Sequence, residues 1–91
     1  SDELEIKGKD FTMKSSFDKF EAFSPGSTMN YAPDGAPHYS VLQSKSEGGA
    51  RKLYNLLKKD PKALLGVSWM QLSDWLKKNG IGYDYRQSYW G

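Results

Sequence analysis

The chain contains no cysteine, a single histidine and four prolines among its 91 residues. Without cysteine, neither a disulfide nor a thiolate metal site can staple the fold. The absence fits a reducing compartment. No apolar run approaches the roughly 20 residues needed to cross a bilayer, and no signal-peptide pattern opens the sequence. A cytoplasmic protein that does not enter the membrane is the expectation. His38 lies in a proline-flanked loop with no nucleophile at evident spacing, which gives general-base catalysis nothing to act with. Asp34, close to it in sequence, is accounted for by the turn Pro33-Asp34-Gly35. No cluster of His, Asp and Glu has metal-ligand spacing. The glycines match neither a Walker A nor a dinucleotide-binding fingerprint. No enzyme, no catalytic residue, no cofactor and no metal are therefore expected.

What is present is an aromatic-rich, unevenly charged chain of one small domain, residues 1–91. Aromatic residues make up 14% of the sequence, and large rings let a short chain bury more apolar area. The net charge is only +2, but residues 1–44 carry four Lys/Arg against seven Asp/Glu, while residues 45–78 carry eight against three. Phenylalanine occurs only in the first part and tryptophan only in the last. Such segregation points to an anionic partner for the basic half, or to attraction between the two halves.

Residues 1–44 read as the acidic, strand- and loop-rich part. Leu4 and Ile6 alternate with charged neighbours, and Phe11 and Met13 alternate beyond Lys7-Gly8-Lys9-Asp10. This is the pattern of a β-hairpin. Ser16 to Phe23 fits either a helical turn capped by Ser16 or a bent strand, ended by Pro25-Gly26. His38 to Gln43 reads as a short strand with Tyr39 and Val41 on one face. Residues 45–80 form the helical, basic part. At about 100° per residue, Ala50, Leu53, Tyr54, Leu56 and Leu57 share one arc of a helix over 49–59, and Arg51, Lys52, Asn55, Lys58 and Lys59 fill the other.

Asp60-Pro61 opens a short helical segment to Leu65. A second helix over 68–79 has both ends specified. Ser68 and Gln71 form a capping box, Val67 and Leu72 a hydrophobic staple, and Lys77 and Lys78 suit the last turn. Gly80 supplies the left-handed residue after the helix, and Ile81 folds back on Leu76. The aromatic tail, 81–91, alternates as a last strand or extended arm. The predicted fold is α+β: an N-terminal β-hairpin plus one or two short strands on two C-terminal helices. Its predicted core is Leu53, Tyr54, Leu57, Leu65, Trp69, Leu72 and Leu76.

Two kinds of partner follow. Phosphate binding needs several cations within reach of one backbone, and Arg51, Lys52, Asn55, Lys58, Lys59 and Lys62 supply them; the same face also suits a helix that merely meets solvent. Leu65-Gly66-Val67-Ser68, with Leu72 and Trp75 after it, resembles the turn and second helix of a helix-turn-helix over Lys59 to Asn79. That resemblance implies Gln71 and Lys77, with Met70, Ser73 and Asp74, facing a major groove. Pro61 shortens the first helix of the motif to one turn, and two ordinary antiparallel helices sharing a core give the same pattern. Gly48-Gly49 at a helix start, ahead of Arg51 and Lys52, offers N–H groups to an anion, or simply a flexible lead into the helix. The tail aromatics interleaved with Arg86 fit stacking on bases, on sugars or on a partner protein. Nucleic acid is thus the first partner expected, through Arg51, Lys52, Asn55, Lys58, Lys59, Lys62, Gln71, Lys77 and Arg86. The alternative is a protein-interaction module (an inhibitor, adaptor or assembly subunit) anchored by Met70, Trp75, Tyr89 and Trp90.

Overall fold

The computed structural model describes residues 2–25 and 38–89, apart from the side chains of His38, Ser88 and Tyr89. Five strands, β1 (Leu4–Lys7), β2 (Thr12–Ser15), β3 (Phe20–Ser24), β4 (His38–Ser44) and β5 (Tyr83–Tyr89), and two helices, α1 (Glu47–Lys59) and α2 (Trp69–Lys78), follow in chain order. The strands form one antiparallel sheet in the order β1-β2-β3-β4-β5. It is a meander whose last link carries both helices. The fold is the expected small α+β domain, with a sheet wider than a hairpin and one or two strands.

Register explains which residues face the helices. Ile6, Met13, Ala22, Leu42 and Tyr85 are paired in one row across the sheet. Paired residues share a face and neighbours along a strand alternate, so Leu4, Ser15 and Phe20 lie on that face too. Its buried members join Leu53, Leu57, Leu64, Leu72, Leu76 and Ile81 in a single core. The opposite face carries the row Glu5, Lys14, Glu21, Gln43 and Asp84. There Gln43 Nε2 donates to Glu21 Oε2 at 2.6 Å. The ambiguous Ser16–Phe23 segment is therefore a turn and a strand: the Ser16 N–H donates to the Lys19 carbonyl at 2.8 Å, and β3 follows. The Pro33-Asp34-Gly35 turn lies outside the described residues.

α1 begins two residues before its predicted start, with Ser46 as the N-cap, whose Oγ accepts from the Gly49 N–H at 3.1 Å. The capping box, the basic last turn and the glycine stop predicted for α2 are realised. Ser68 Oγ accepts from the Gln71 N–H at 3.2 Å, and Gln71 Oε1 accepts from the Ser68 N–H at 2.9 Å. Gly80 has φ +69°, the Ile81 N–H donates to the Leu76 carbonyl at 2.9 Å, and the Gly80 N–H to the Lys77 carbonyl at 3.0 Å. This pair of bonds is a Schellman motif.

Between the helices the expected short helix is absent. Successive four-residue turns run from Asp60, with bonds from the Ala63 N–H to the Asp60 carbonyl, the Leu65 N–H to the Lys62 carbonyl and the Val67 N–H to the Leu64 carbonyl. This geometry turns Leu64 inward and fully buries it, while Leu65 is 70% exposed. The predicted core residue was off by one position. Trp69 is half-buried rather than central, its ring edge-on to Phe11 with centroids 6.1 Å apart. Tyr85 is 53% exposed although it is paired with Leu42 and lies on the helix-bearing face.

A contact distant in sequence locks the helical part to the first hairpin. Asp10 Oδ1 accepts from the Trp69 N–H at 2.8 Å, and the Lys9 N–H donates to the Val67 carbonyl at 2.8 Å. The Asp10 carbonyl takes the Ser24 hydroxyl at 2.9 Å. One aspartate thus satisfies an otherwise unpaired N–H of the first turn of α2 and places negative charge at its positive end. Asp10→Ala is expected to cost about 1 kcal/mol, read as a lower urea midpoint with an unchanged slope; an unchanged midpoint would show that the contact contributes nothing.

Candidate nucleic-acid interface

The outward side of α1 is built by the same periodicity that fills the core. Ala50, Leu53, Tyr54 and Leu57 are buried, and Arg51, Lys52, Asn55, Lys58 and Lys59 are all exposed. At about 100° per residue these five divide into two rows, Arg51 with Lys58 and Lys52 with Lys59, with Asn55 between them. Members of a row are seven residues apart, about 10 Å along the axis. Gly48, Arg51, Lys52, Asn55, Leu56 and Lys59 line a shallow concavity of about 390 Å³.

The two rows differ in what supports them. The Arg51 guanidinium lies over the Phe17 ring, 4.4 Å from its centroid, and Phe17 in turn meets Tyr54 edge-on at 5.9 Å. Lys58 Nζ is 5.8 Å from the centroid of Tyr54. These rings hold the cationic stems while leaving the charges unneutralised. In the other row, Lys52 Nζ approaches Gly80, just past the C-terminus of α2. Among the described residues no Lys or Arg forms an ion pair with a carboxylate, within a 4.0 Å limit. Direct pairing with the acidic first part, the other account of the charge segregation, does not occur there.

The remaining candidates are dispersed. Lys62 is exposed in the turns after α1, and Lys77 in the last turn of α2. Gln71 is exposed, but its amide oxygen is engaged by the capping box. Arg86 is paired with Val41 and shares the sheet face away from the core, so it does not join the α1 surface. The tract resembling a helix-turn-helix has turns in place of its first helix. The α2 N-terminus, which would point at a groove in that motif, is instead held by Asp10. At the glycine-rich start of α1, Ser46 Oγ accepts from the Gly49 N–H and Glu47 adds a carboxylate to the first turn.

Of the residues named for protein contact, Met70 is 76% exposed and Trp75 half-buried. The side chains of Tyr89 and Trp90 lie outside the described residues. Phe17 was missed as part of the cationic surface. Its signal, an apolar residue at the tip of a turn, cannot be connected to Arg51 without the fold. No helix among the described residues is long and apolar enough to cross a membrane, and no group of three His, Cys, Asp or Glu among them is placed to hold a metal ion. No protein-family model, curated protein or solved structure matches the chain.

Proposed function

We propose that this chain is a non-catalytic module that binds nucleic acid by laying the cationic side of α1 along a phosphate backbone. The observation that carries the reading is the pair of rows Arg51/Lys58 and Lys52/Lys59, exposed and without ion-paired carboxylates among the described residues. Asn55 between them offers a hydrogen bond to a phosphate or sugar oxygen, and Lys62 extends the charge beyond the helix. Contacts of this kind position a protein on nucleic acid without reading sequence. Little on α2 adds base recognition, since the Gln71 amide oxygen is held in the cap and Asp74 repels phosphate. Weak sequence preference and strong salt dependence are the properties this surface implies.

The test compares the native chain with Lys52→Glu/Lys59→Glu on labelled duplex and single-stranded oligonucleotides at low salt. Both lysines are exposed and outside the core, so the variant should fold normally by circular dichroism. Binding by the variant is expected to fall at least about tenfold. Equal binding by both proteins would remove α1 from the interface.

A second reading is favoured by one observation. Leu65 and Met70, at 70% and 76% exposure, are large apolar side chains left uncovered near the start of α2. A protein partner seated there would use them as anchors, and its affinity would vary little with salt.

A further inference from the structure

β5 is an edge strand of seven residues with neither proline nor glycine, and among the described residues nothing pairs with its outer side. Asp84, Tyr85, Arg86 and Gln87 are all exposed. The opposite edge, β1, has only four residues and ends against Gly8. An open edge of backbone donors and acceptors is a template for another strand, and proteins usually blunt it with proline, bulges, brevity or charged side chains. β5 has no proline, no bulge and seven residues, and its charges are one of each sign, Asp84 and Arg86.

We propose that β5 pairs antiparallel with β5 of a second copy, joining two five-stranded sheets into one of ten strands. Symmetry and charge select the register. A two-fold axis perpendicular to the sheet keeps each side chain on its own face, so it must pass through a paired residue and its own copy. Centring on Asp84 or Arg86 puts like charges against each other. Centring on Tyr83 sets Asp84 opposite Gly82, and centring on Gln87 sets Arg86 opposite Ser88, so neither register matches the two charges with each other. Centring on Tyr85 places Asp84 opposite the partner's Arg86 and Arg86 opposite the partner's Asp84, with the two Tyr85 rings meeting on the other face. Opposite charges directly across an antiparallel pair are favourable, and like charges are not. The Tyr85 ring, half-exposed and bonded to Ser40 Oγ through its hydroxyl at 3.2 Å, is covered in this arrangement. Both pairs of helices then lie on the same side of the joined sheet. The proposal rests on the sheet edge alone and is independent of what α1 binds.

A short strand-to-strand interface belongs to the weak class, so self-association is expected in the micromolar range. The test is sedimentation velocity over a concentration series with the full chain, Asp84→Arg, Arg86→Asp, and an equimolar mixture of these two variants. Asp84→Arg and Arg86→Asp each convert both cross-strand pairs to like charges, weakening self-association about tenfold or more. The mixture restores two opposite-charge pairs and is expected to dimerise like the native chain. Because both residues are exposed, circular dichroism should show each variant folded, and recovery in the mixture cannot arise from misfolding. A native chain that stays monomeric at every concentration would overturn the proposal and leave the edge to a strand from a different protein. A dimer that neither substitution weakens would overturn it too, by placing the contact elsewhere.

Discussion

Phe20→Ala should bring the protein close to unfolding at room temperature, with a loss of about 3–5 kcal/mol. A domain of this length has about 5–14 kcal/mol of stability in total. Phe20 is 2% exposed in the core shared by sheet and helices. Its N–H donates to Ser44 Oγ at 3.1 Å, which fixes the backbone where β3 meets β4. Removing the ring leaves a cavity that a close-packed core closes only in part. The melting temperature is expected to fall by more than about 10 °C. Phe17→Ala is the matched control. That ring is 49% exposed, and its loss removes only the edge contact with Tyr54 and the surface under Arg51, an effect within about 1 kcal/mol. Equal losses at the two positions would mean that the turn and the strand between residues 16 and 24 are wrongly placed.

Gly8→Ala is the second large effect, and here the cause is overcrowding. A Cβ on Gly8 would be driven into the ring of Phe11. Phe11 is itself 3% exposed and held edge-on by Trp69, so it has no free space to retreat into. A cost of about 1–3 kcal/mol is expected, together with a change in tryptophan fluorescence as Trp69 loses its neighbour. Gly48→Ala provides the contrast. Nothing lies within 4 Å of a Cβ there, and the position is in the first turn of α1, so alanine should stabilise by a few tenths to about 1 kcal/mol. Chemical denaturation of the two variants separates a glycine needed for space from one that is not. A neutral Gly8→Ala would mean that the hairpin does not pack on Phe11 as described.

How much of this was legible in the sequence follows from the range of each interaction. The ends of α2 were readable because a capping box and a Schellman motif are completed within a few residues of chain. The first hairpin was readable because Leu4, Ile6, Phe11 and Met13 alternate around a glycine turn. Phe17, Phe20 and Phe23 were not separable, since spacings of three suit a helix while the observed turn and strand depend on pairing with β2 and β4. The choice of Leu64 over Leu65 for the core came from turns after Pro61 that a helical wheel does not represent. Among the candidate site residues, the exposed side of α1 could be drawn from periodicity, because one helix sets it. That Arg86 sits on the far face of the sheet, that Gln71 is spent on a cap and that Asp10 occupies the α2 N-terminus are consequences of topology. No local pattern carries them.

The proposed function turns on whether the cations of α1 displace counterions from a nucleic acid, and the slope of affinity against salt reads that directly. Affinity for a short duplex should be measured by fluorescence anisotropy from low to moderate salt, for the native chain and for Lys52→Glu/Lys59→Glu. Engagement of three or four phosphates gives a logarithmic slope of about −3 to −4, and removing the Lys52/Lys59 row should reduce its magnitude by about 2. No binding at the lowest salt, or a slope unchanged by the substitutions, would contradict the assignment of this helix face to nucleic acid.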